Sequence, residues 1–120
     1  MLLQGLKILD FSTLLPGPFA TMMLADLGAE VLHVTKPTKE GKQWDKDDYL
    51  QRSKKSIAVD LKSPEIITSL KELVKEYDIV VEQFRPGVMT RLGLGYETLK
   101  EVNPRLIYCS ITGYGQTGPY

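Results

Sequence analysis

Short apolar runs alternate along the chain with longer stretches whose apolar residues recur every three or four positions. The short runs have the length and composition of buried β-strands. They are residues 6–11, 30–35, 56–61, 78–82 and 106–111. Strands that alternate with helices in the sequence are typical of an α/β domain. We therefore predict an α/β fold with a mainly parallel sheet and helices on both of its faces.

Turn and capping residues mark where the two longer helices begin and end. The first helix is predicted from Phe19, after a turn at residues 16–18, and Gly28 is predicted to end it. The second follows Ser63 and Pro64, which supply an N-cap and a proline at the first helical position. Its apolar face comprises Ile66, Ile67, Leu70, Leu73, Val74 and Tyr77.

The remaining segments are shorter or less regular. Two short helices are predicted, one running through Arg91 and one closed by Asn103 and Pro104. Residues 36–55 are rich in Lys, Asp and Gln and show no sustained period. We interpret this segment as a long exposed excursion between two strands.

Composition and charge exclude several classes of protein. With 120 residues, 42% of them hydrophobic and 25% charged, the chain has the size and make-up of one globular domain. Its 15 basic and 15 acidic residues cancel, so no charge excess indicates binding to nucleic acid or to an anionic membrane. No apolar run reaches the roughly 20 residues of a membrane-spanning helix.

The cysteine content and the chain ends suggest a location and a larger context. Cys109 is the one cysteine in the sequence, and it cannot form an intrachain disulfide. With no secretion signal recognisable, we expect a reducing, cytoplasmic location. Residues 118–120 follow an apolar strand with no terminal helix, so we expect this chain to be part of a longer fold.

Ligand sites in open α/β sheets lie beyond the carboxyl ends of the strands. The loops after Phe11, Thr35, Glu82 and Ile111 are therefore candidates. The cationic side chains that could meet a phosphate-rich ligand are Lys36, Lys54, Lys55, Lys62, Arg85 and Arg91. The two arginines are the stronger candidates, because a guanidinium can bind phosphate oxygens through two parallel hydrogen bonds.

One glycine motif points to a different class of protein. Residues 113–118 form G-x-G-x-x-G after a predicted strand, as in dinucleotide-binding folds. That fingerprint belongs to the first strand-to-helix turn and needs a helix after it, whereas Pro119 follows here. A dinucleotide-binding oxidoreductase fragment is thus the weaker alternative. His33 and Cys109 lie within predicted strands, where structural roles are the default.

Long stretches of the sequence resemble the family III CoA-transferases, which include α-methylacyl-CoA racemase. The resemblance rests on residues 5–12, 17–18, 24–31, 54–65, 81–87, 103–108 and 111–119. It differs at 35–37, where many members carry an arginine and this chain has Thr-Lys-Pro. A lysine at Lys36 acts as a point charge and cannot make the planar guanidinium contact.

The resemblance implies that residues 1–120 are the amino-terminal part of a Rossmann-like, CoA-binding large domain that is incomplete here, with the family's small domain absent. It implies coenzyme A or an acyl-CoA as substrate, no permanently bound cofactor and no metal, and a homodimer of interlocked chains. Carried over by motif, the CoA contacts fall on Leu14, Leu15, Pro16, Lys36, Val59, Asp60, Leu61, Lys62, Gln83, Phe84, Arg85 and Arg91.

The resemblance assigns no catalytic residue to this chain. In the transferases an aspartate carries the acyl group, and in the racemase an aspartate and a histidine move the α-proton, all at positions beyond Tyr120. We therefore expect the amino-terminal, CoA-binding portion of a CoA-transferase or acyl-CoA racemase that is inactive by itself. The alternative is a non-catalytic CoA-binding or interaction module that works with another chain.

Overall fold

The computed structural model describes residues 2–12, 16–36 and 54–112. These residues form five strands and four helices. In chain order they are β1 (Lys7–Asp10), α1 (Pro16–Asp26), β2 (Glu30–Thr35), β3 (Lys54–Ala58), α2 (Pro64–Val74), β4 (Ile79–Glu82), α3 (Val88–Leu92), α4 (Tyr96–Val102) and β5 (Ile107–Ser110).

The five strands form one parallel sheet in the order β3-β2-β1-β4-β5. Asp10 at the end of β1 is level with His33 in β2 on one side and with Val81 in β4 on the other. β2 and β3 are thus added in turn on one side of β1, and the chain then crosses over to add β4 and β5 on the other side. The predicted α/β fold with a mainly parallel sheet is confirmed.

Successive strand residues point to opposite sides of the sheet, so apolar strands give the sheet two apolar faces. Helices cover both of these faces. Ile8 packs in one core cluster with Ala25 of α1, whereas Leu9 packs in the other with Leu70 of α2. Met89 of α3 and Leu99 and Leu106 join the α2 side. On the opposite face, α1 is the covering helix among the described residues. Ile107 of β5 remains 61% exposed.

The largest differences from the predicted boundaries are at β3, which spans Lys54–Ala58 where residues 56–61 were predicted, and at the start of α1. β3 begins at Lys54, which pairs with Val31, so the first residues of this strand were wrongly assigned to the exposed excursion. Its polar pattern misled the prediction because β3 is an edge strand and is only partly covered. Helix α1 begins at Pro16, ahead of the predicted start, since a proline fits the first turn, where amide hydrogens have no intrahelical acceptor.

The predicted end of α1 and the predicted start of α2 agree with the structure, whereas α2 ends at Val74, three residues before Tyr77, which was predicted to lie on its apolar face. Gly28 follows α1 with φ of 107°, a backbone conformation that glycine adopts without strain. Ser63 is the extended N-cap of α2, and its hydroxyl makes no capping hydrogen bond to any described residue. Beyond the other end of α2, Asn103 donates to the carbonyl oxygens of Val74 at 3.0 Å and Tyr77 at 2.8 Å. This side chain joins the end of α4 to the turn that leads into β4.

Candidate functional site

The strand order creates a crevice at the carboxyl ends of β1 and β4. The connections from these neighbouring strands run to opposite sides of the sheet, the arrangement at which open α/β folds bind ligands. Across this crevice the side-chain oxygen of Gln83, just after β4, accepts a hydrogen bond of 3.1 Å from the backbone N–H of Gly17 in α1. The end of β4 is thereby tied to the first turn of α1.

Gly17 permits this close approach. A Cβ atom at this position would overlap the side chain of Ser12 and would lie 2.7 Å from the side-chain oxygen of Gln83. Both contacts would be closer than the van der Waals separation of the atoms. The segments that carry Ser12, Gly17 and Gln83 can therefore meet only because position 17 has no side chain. The glycine in the predicted turn therefore has a packing role at the crevice.

The first predicted contact loop lies only partly within the described residues. Leu14 and Leu15 lie outside the described residues, as does the glycine motif at 113–118. Pro16 opens α1, so its backbone stands at the amino end of the helix that borders the crevice.

The contacts predicted after β2 and β3 lie at the same edge of the sheet. Lys36 is exposed directly after β2. After β3, the backbone N–H of Lys62 donates to the carboxylate of Asp60 at 2.9 Å, which closes a tight turn with both side chains exposed. Val59 and Leu61 alternate with them and pack against the core cluster on the α2 side. The turn therefore presents polar groups outward while its apolar residues anchor it.

The contacts predicted after β4 all lie within the described residues. Phe84 packs against the same apolar cluster as Val59 and Leu61. The exposed Arg85 follows, and its carbonyl oxygen accepts a 3.1 Å hydrogen bond from Val88 at the start of α3. Arg91 is exposed on α3 one turn later. Both guanidinium groups thus extend from a short, hydrogen-bonded segment anchored to the end of β4.

Glu82 is a buried acid at this edge that the sequence prediction did not assign to the site. It closes β4 and is 4% exposed. Burial raises the pKa of its carboxyl group, while hydrogen bonds from the Ser110 side chain and the Phe84 backbone act in the opposite direction. Because it holds Phe84 and Ser110 together, Glu82 joins the contact loop to the end of β5. The signal in the sequence that could have identified Glu82 was an acidic residue at the end of an otherwise apolar strand.

Burial also raises the pKa of Tyr108, and the charge of Glu82 adds to this effect. The Tyr108 hydroxyl donates to the carbonyl oxygen of Leu94 at 3.3 Å, and its ring meets that of Tyr96 edge to face at 5.9 Å. The phenol therefore remains protonated and supports the segment between α3 and α4.

A second buried polar group lies beneath the first turns of α1. The carboxylate of Asp10 accepts hydrogen bonds from the backbone N–H and hydroxyl of Ser12, and a 2.6 Å hydrogen bond from the hydroxyl of Thr21. The ammonium of Lys54 lies 3.5 Å from the same carboxylate and donates to the carbonyl oxygen of Pro18 at 3.1 Å. The Lys54 side chain is 1% exposed, so this candidate cation is not presented to a ligand in solvent.

His33 belongs to the same layer. It is fully buried, and its Nε2 lies 2.7 Å from the carbonyl oxygen of Ser12. The predicted structural environment of this histidine agrees with its position in the core. Cys109, by contrast, is exposed on the edge strand β5, where a buried side chain was the expectation.

Within residues 2–12, 16–36 and 54–112, no three His, Cys, Asp or Glu side chains come together as a metal site would require. None of the helices found there has the length and apolar character needed to cross a bilayer.

Comparison with known proteins identifies the family. The family model described as CoA-transferase family III matches residues 3–120. Human succinyl-CoA:glutarate CoA-transferase is 48% identical over 98% of this chain and 29% of its own length. Human alpha-methylacyl-CoA racemase is 45% identical over 100% of this chain and 30% of its own length.

Solved structures agree. A hypothetical protein from Mycobacterium tuberculosis superposes with a TM-score of 0.88 at 41% identity, over 98% of this chain and 34% of that one. A CAIB/BAIF family protein from Brucella suis gives 0.85 at 39% identity, over 98% and 35%. The chain thus spans about a third of the length of the relatives that it matches. The resemblance predicted from the sequence is confirmed, and the chain belongs to CoA-transferase family III.

Proposed function

We propose that this chain forms the amino-terminal, CoA-binding portion of a CoA-transferase or acyl-CoA racemase. The observation that carries the proposal is the position of Arg85 and Arg91. Both are exposed on the segment that is fixed to the end of β4, beside the crevice that the strand order creates. Guanidinium groups held in this way suit the phosphates of coenzyme A.

The other proposed contacts follow the same edge of the sheet. Adjacent strands lie about 4.8 Å apart, so the ends of β2 and β4 on either side of β1 are about 10 Å from each other. An extended ligand laid across the edge could therefore meet Lys36, the turn at residues 59–62 and Arg85 together. Phe84 and Leu61 offer apolar surface between these charges, which suits the adenine ring.

The chemical step is proposed to need residues other than these. A transfer through an acyl-enzyme needs a nucleophile, and racemisation needs a general acid and a general base. The resemblance places those residues beyond Tyr120. We propose that this chain holds the thioester and that the rest of the family fold supplies the reacting groups and the interlocked dimer.

Two measurements test the proposal. Calorimetric titration of the purified chain should show binding of coenzyme A, with NAD⁺ as the control ligand for a dinucleotide site. Mass spectrometry after incubation with succinyl-CoA and glutarate should show no transfer by the chain alone. Binding of NAD⁺ in preference to coenzyme A would contradict the proposed ligand. Turnover that persists after repurification would contradict the proposal that the reacting groups lie outside this chain.

A further inference from the structure

We propose that Asp10 and Lys54 form a positioning pair that holds the first turns of α1 against the crevice. The inference rests on the proposed function, because the crevice is the proposed CoA site. It goes beyond that function by assigning a task to two buried charges that contact no predicted ligand. Neither residue is among the CoA contacts that the family resemblance implies, and the buried side chain of Lys54 rules out the phosphate contact that its charge had suggested.

The sheet brings the pair together from distant parts of the sequence. Asp10 of β1 and His33 of β2 are paired in register, and His33 is paired with Ser56 of β3. Lys54 precedes Ser56 by two residues and therefore lies on the same face of the sheet. Three neighbouring strands thus place Asp10, His33 and Lys54 on the same face beneath α1, with Lys54 two residues before the position level with His33.

Both partners also bind α1 itself. Lys54 donates to the carbonyl oxygen of Pro18, and Asp10 accepts from the hydroxyl of Thr21 at 2.6 Å. Pro18 directly follows Gly17, whose N–H donates to the side-chain oxygen of Gln83, and Thr21 lies one helical turn after Gly17. A continuous series of contacts therefore runs from β3 through the ion pair and the first turns of α1 to the end of β4.

Stability alone gives a poor reason for this arrangement. Asp10 is 0% exposed and Lys54 is 1% exposed, so both charges are removed from water. Well-packed apolar residues of similar size often stabilise a core as well as a buried ion pair does, whereas directional polar contacts fix one geometry. Buried parallel strands are also ordinarily apolar, and here the polar residues lie where α1 meets the sheet.

The pairing also sets the charge beneath the proposed site. An uncompensated carboxylate at Asp10 would face the amino end of α1 and oppose phosphates bound nearby. The ammonium of Lys54, 3.5 Å away, cancels that charge. The pair therefore fixes the helix turn and leaves the local charge neutral.

The experiment compares variants that remove the contacts with variants that keep them. Thr21→Val replaces the hydroxyl by a methyl of similar size, and Thr21→Ser retains the hydroxyl. The double variant Asp10→Asn with Lys54→Met removes both charges together, so neither is left buried alone. Lys100→Met is the control, because Lys100 is exposed in the last turn of α4, which leads to the amino end of β5, opposite the crevice.

Two readouts separate positioning from general stability. The first is hydrogen exchange of the backbone amides of residues 20–24, whose intrahelical acceptors lie in the first turns of α1. The second is the affinity for coenzyme A. Thr21→Val and the double variant should exchange about ten-fold faster in this segment, with α2 unchanged, and should bind coenzyme A about ten-fold more weakly. Thr21→Ser and Lys100→Met should match the wild type.

The positioning role would be overturned if the amide exchange rates in α1 of Thr21→Val matched those of the wild type. It would also be overturned if the exchange rates rose equally in α1 and α2. Should the double variant fail to fold, Thr21→Val still decides the question. Should the wild type bind no coenzyme A, the proposed function fails, but the exchange measurement continues to test the pair independently.

Discussion

The side-chain oxygen of Gln83 accepts a hydrogen bond from the backbone N–H of Gly17 across the central crevice of the sheet. This contact joins two segments that are 66 residues apart in the sequence. It also occupies one of the amide groups at the start of α1 that no intrahelical carbonyl can satisfy.

Replacing Gly17 by alanine should break this junction. The new Cβ would overlap Ser12 and the Gln83 side chain, so one of the segments must move. We expect the free energy of unfolding to fall by about 1–3 kcal/mol, as overpacked sites typically show. Urea denaturation measures this change. Gln83→Ala, which removes the hydrogen-bond acceptor without adding an overlapping atom, should cost less, about 1 kcal/mol. A Gly17→Ala variant as stable as the wild type would contradict the packing role.

Arg85 should be the main phosphate contact for coenzyme A, with Arg91 in support. A charge-assisted hydrogen bond contributes about 1.5–3 kcal/mol, so Arg85→Ala should weaken binding about ten- to a hundred-fold in calorimetry. Arg85→Lys should weaken it less. Arg105 is also exposed but precedes β5, at the opposite end of the sheet, so Arg105→Ala is the matched control.

Salt provides a second check on Arg85. The wild type should lose more affinity than Arg85→Ala when the salt concentration rises, because the removed interaction is a screened one. A folded Arg85→Ala variant that binds coenzyme A like the wild type would show that this contact was wrongly assigned.

Glu82 should make stability depend on pH. Its pKa is raised in the folded state above the reference value of 4.5, so the folded chain holds this proton over a pH range in which the unfolded chain has lost it. The contribution of Glu82 to the free energy of unfolding therefore declines as pH rises from about 4.5 through the raised pKa.

Glu82→Gln keeps the shape of the side chain and removes the titration. The difference in unfolding free energy between wild type and this variant should therefore change with pH in that window, in favour of the variant at higher pH. Denaturation at a series of pH values measures it. A difference that stays constant would contradict the buried, titrating carboxyl group.

Helix α1 should promote association with a second copy of the chain. Phe19, Met23 and Leu27 recur every four residues and are 47%, 51% and 44% exposed, which forms an apolar stripe. Because the net charge of the chain is 0, little repulsion opposes contact between copies. Light scattering should show a mass that increases with concentration.

Met23→Lys should reduce this association, while Thr68→Lys, at an exposed position of α2, adds the same charge elsewhere and serves as the control. A strictly monomeric wild type over a wide concentration range would refute the prediction.

The sequence predicted the fold well where its signals are local. β2 has its predicted bounds because six residues of strand character follow a helix-ending glycine. The apolar face of α2 is equally clear, and Leu70 and Val74 are buried as its period requires. Edge strand β3 was less well predicted, because an edge can carry lysines that read as loop.

The site was predictable in outline only. Strand-end loops and the two arginines followed from general rules for α/β sheets, and the family motifs added the remaining contacts. The buried group around Asp10 could not be predicted, because Lys54 reaches it from 44 positions away in the sequence. The role of Gln83 likewise depends on a register between β1 and β4 that no local pattern encodes.

The strand order also has a consequence for the route by which the chain folds. Ile8 of β1 pairs with Val31 of β2 but also with Ile79 of β4, three times farther along the sequence. Closing the longer loop costs about 1 kcal/mol more in chain entropy, so the central strand gains its second neighbour late. During synthesis, β1 and β2 can leave the ribosome well before β4 exists. Until then the β4 side of β1 is an unpaired edge, and α1 lies over a sheet that is still half built.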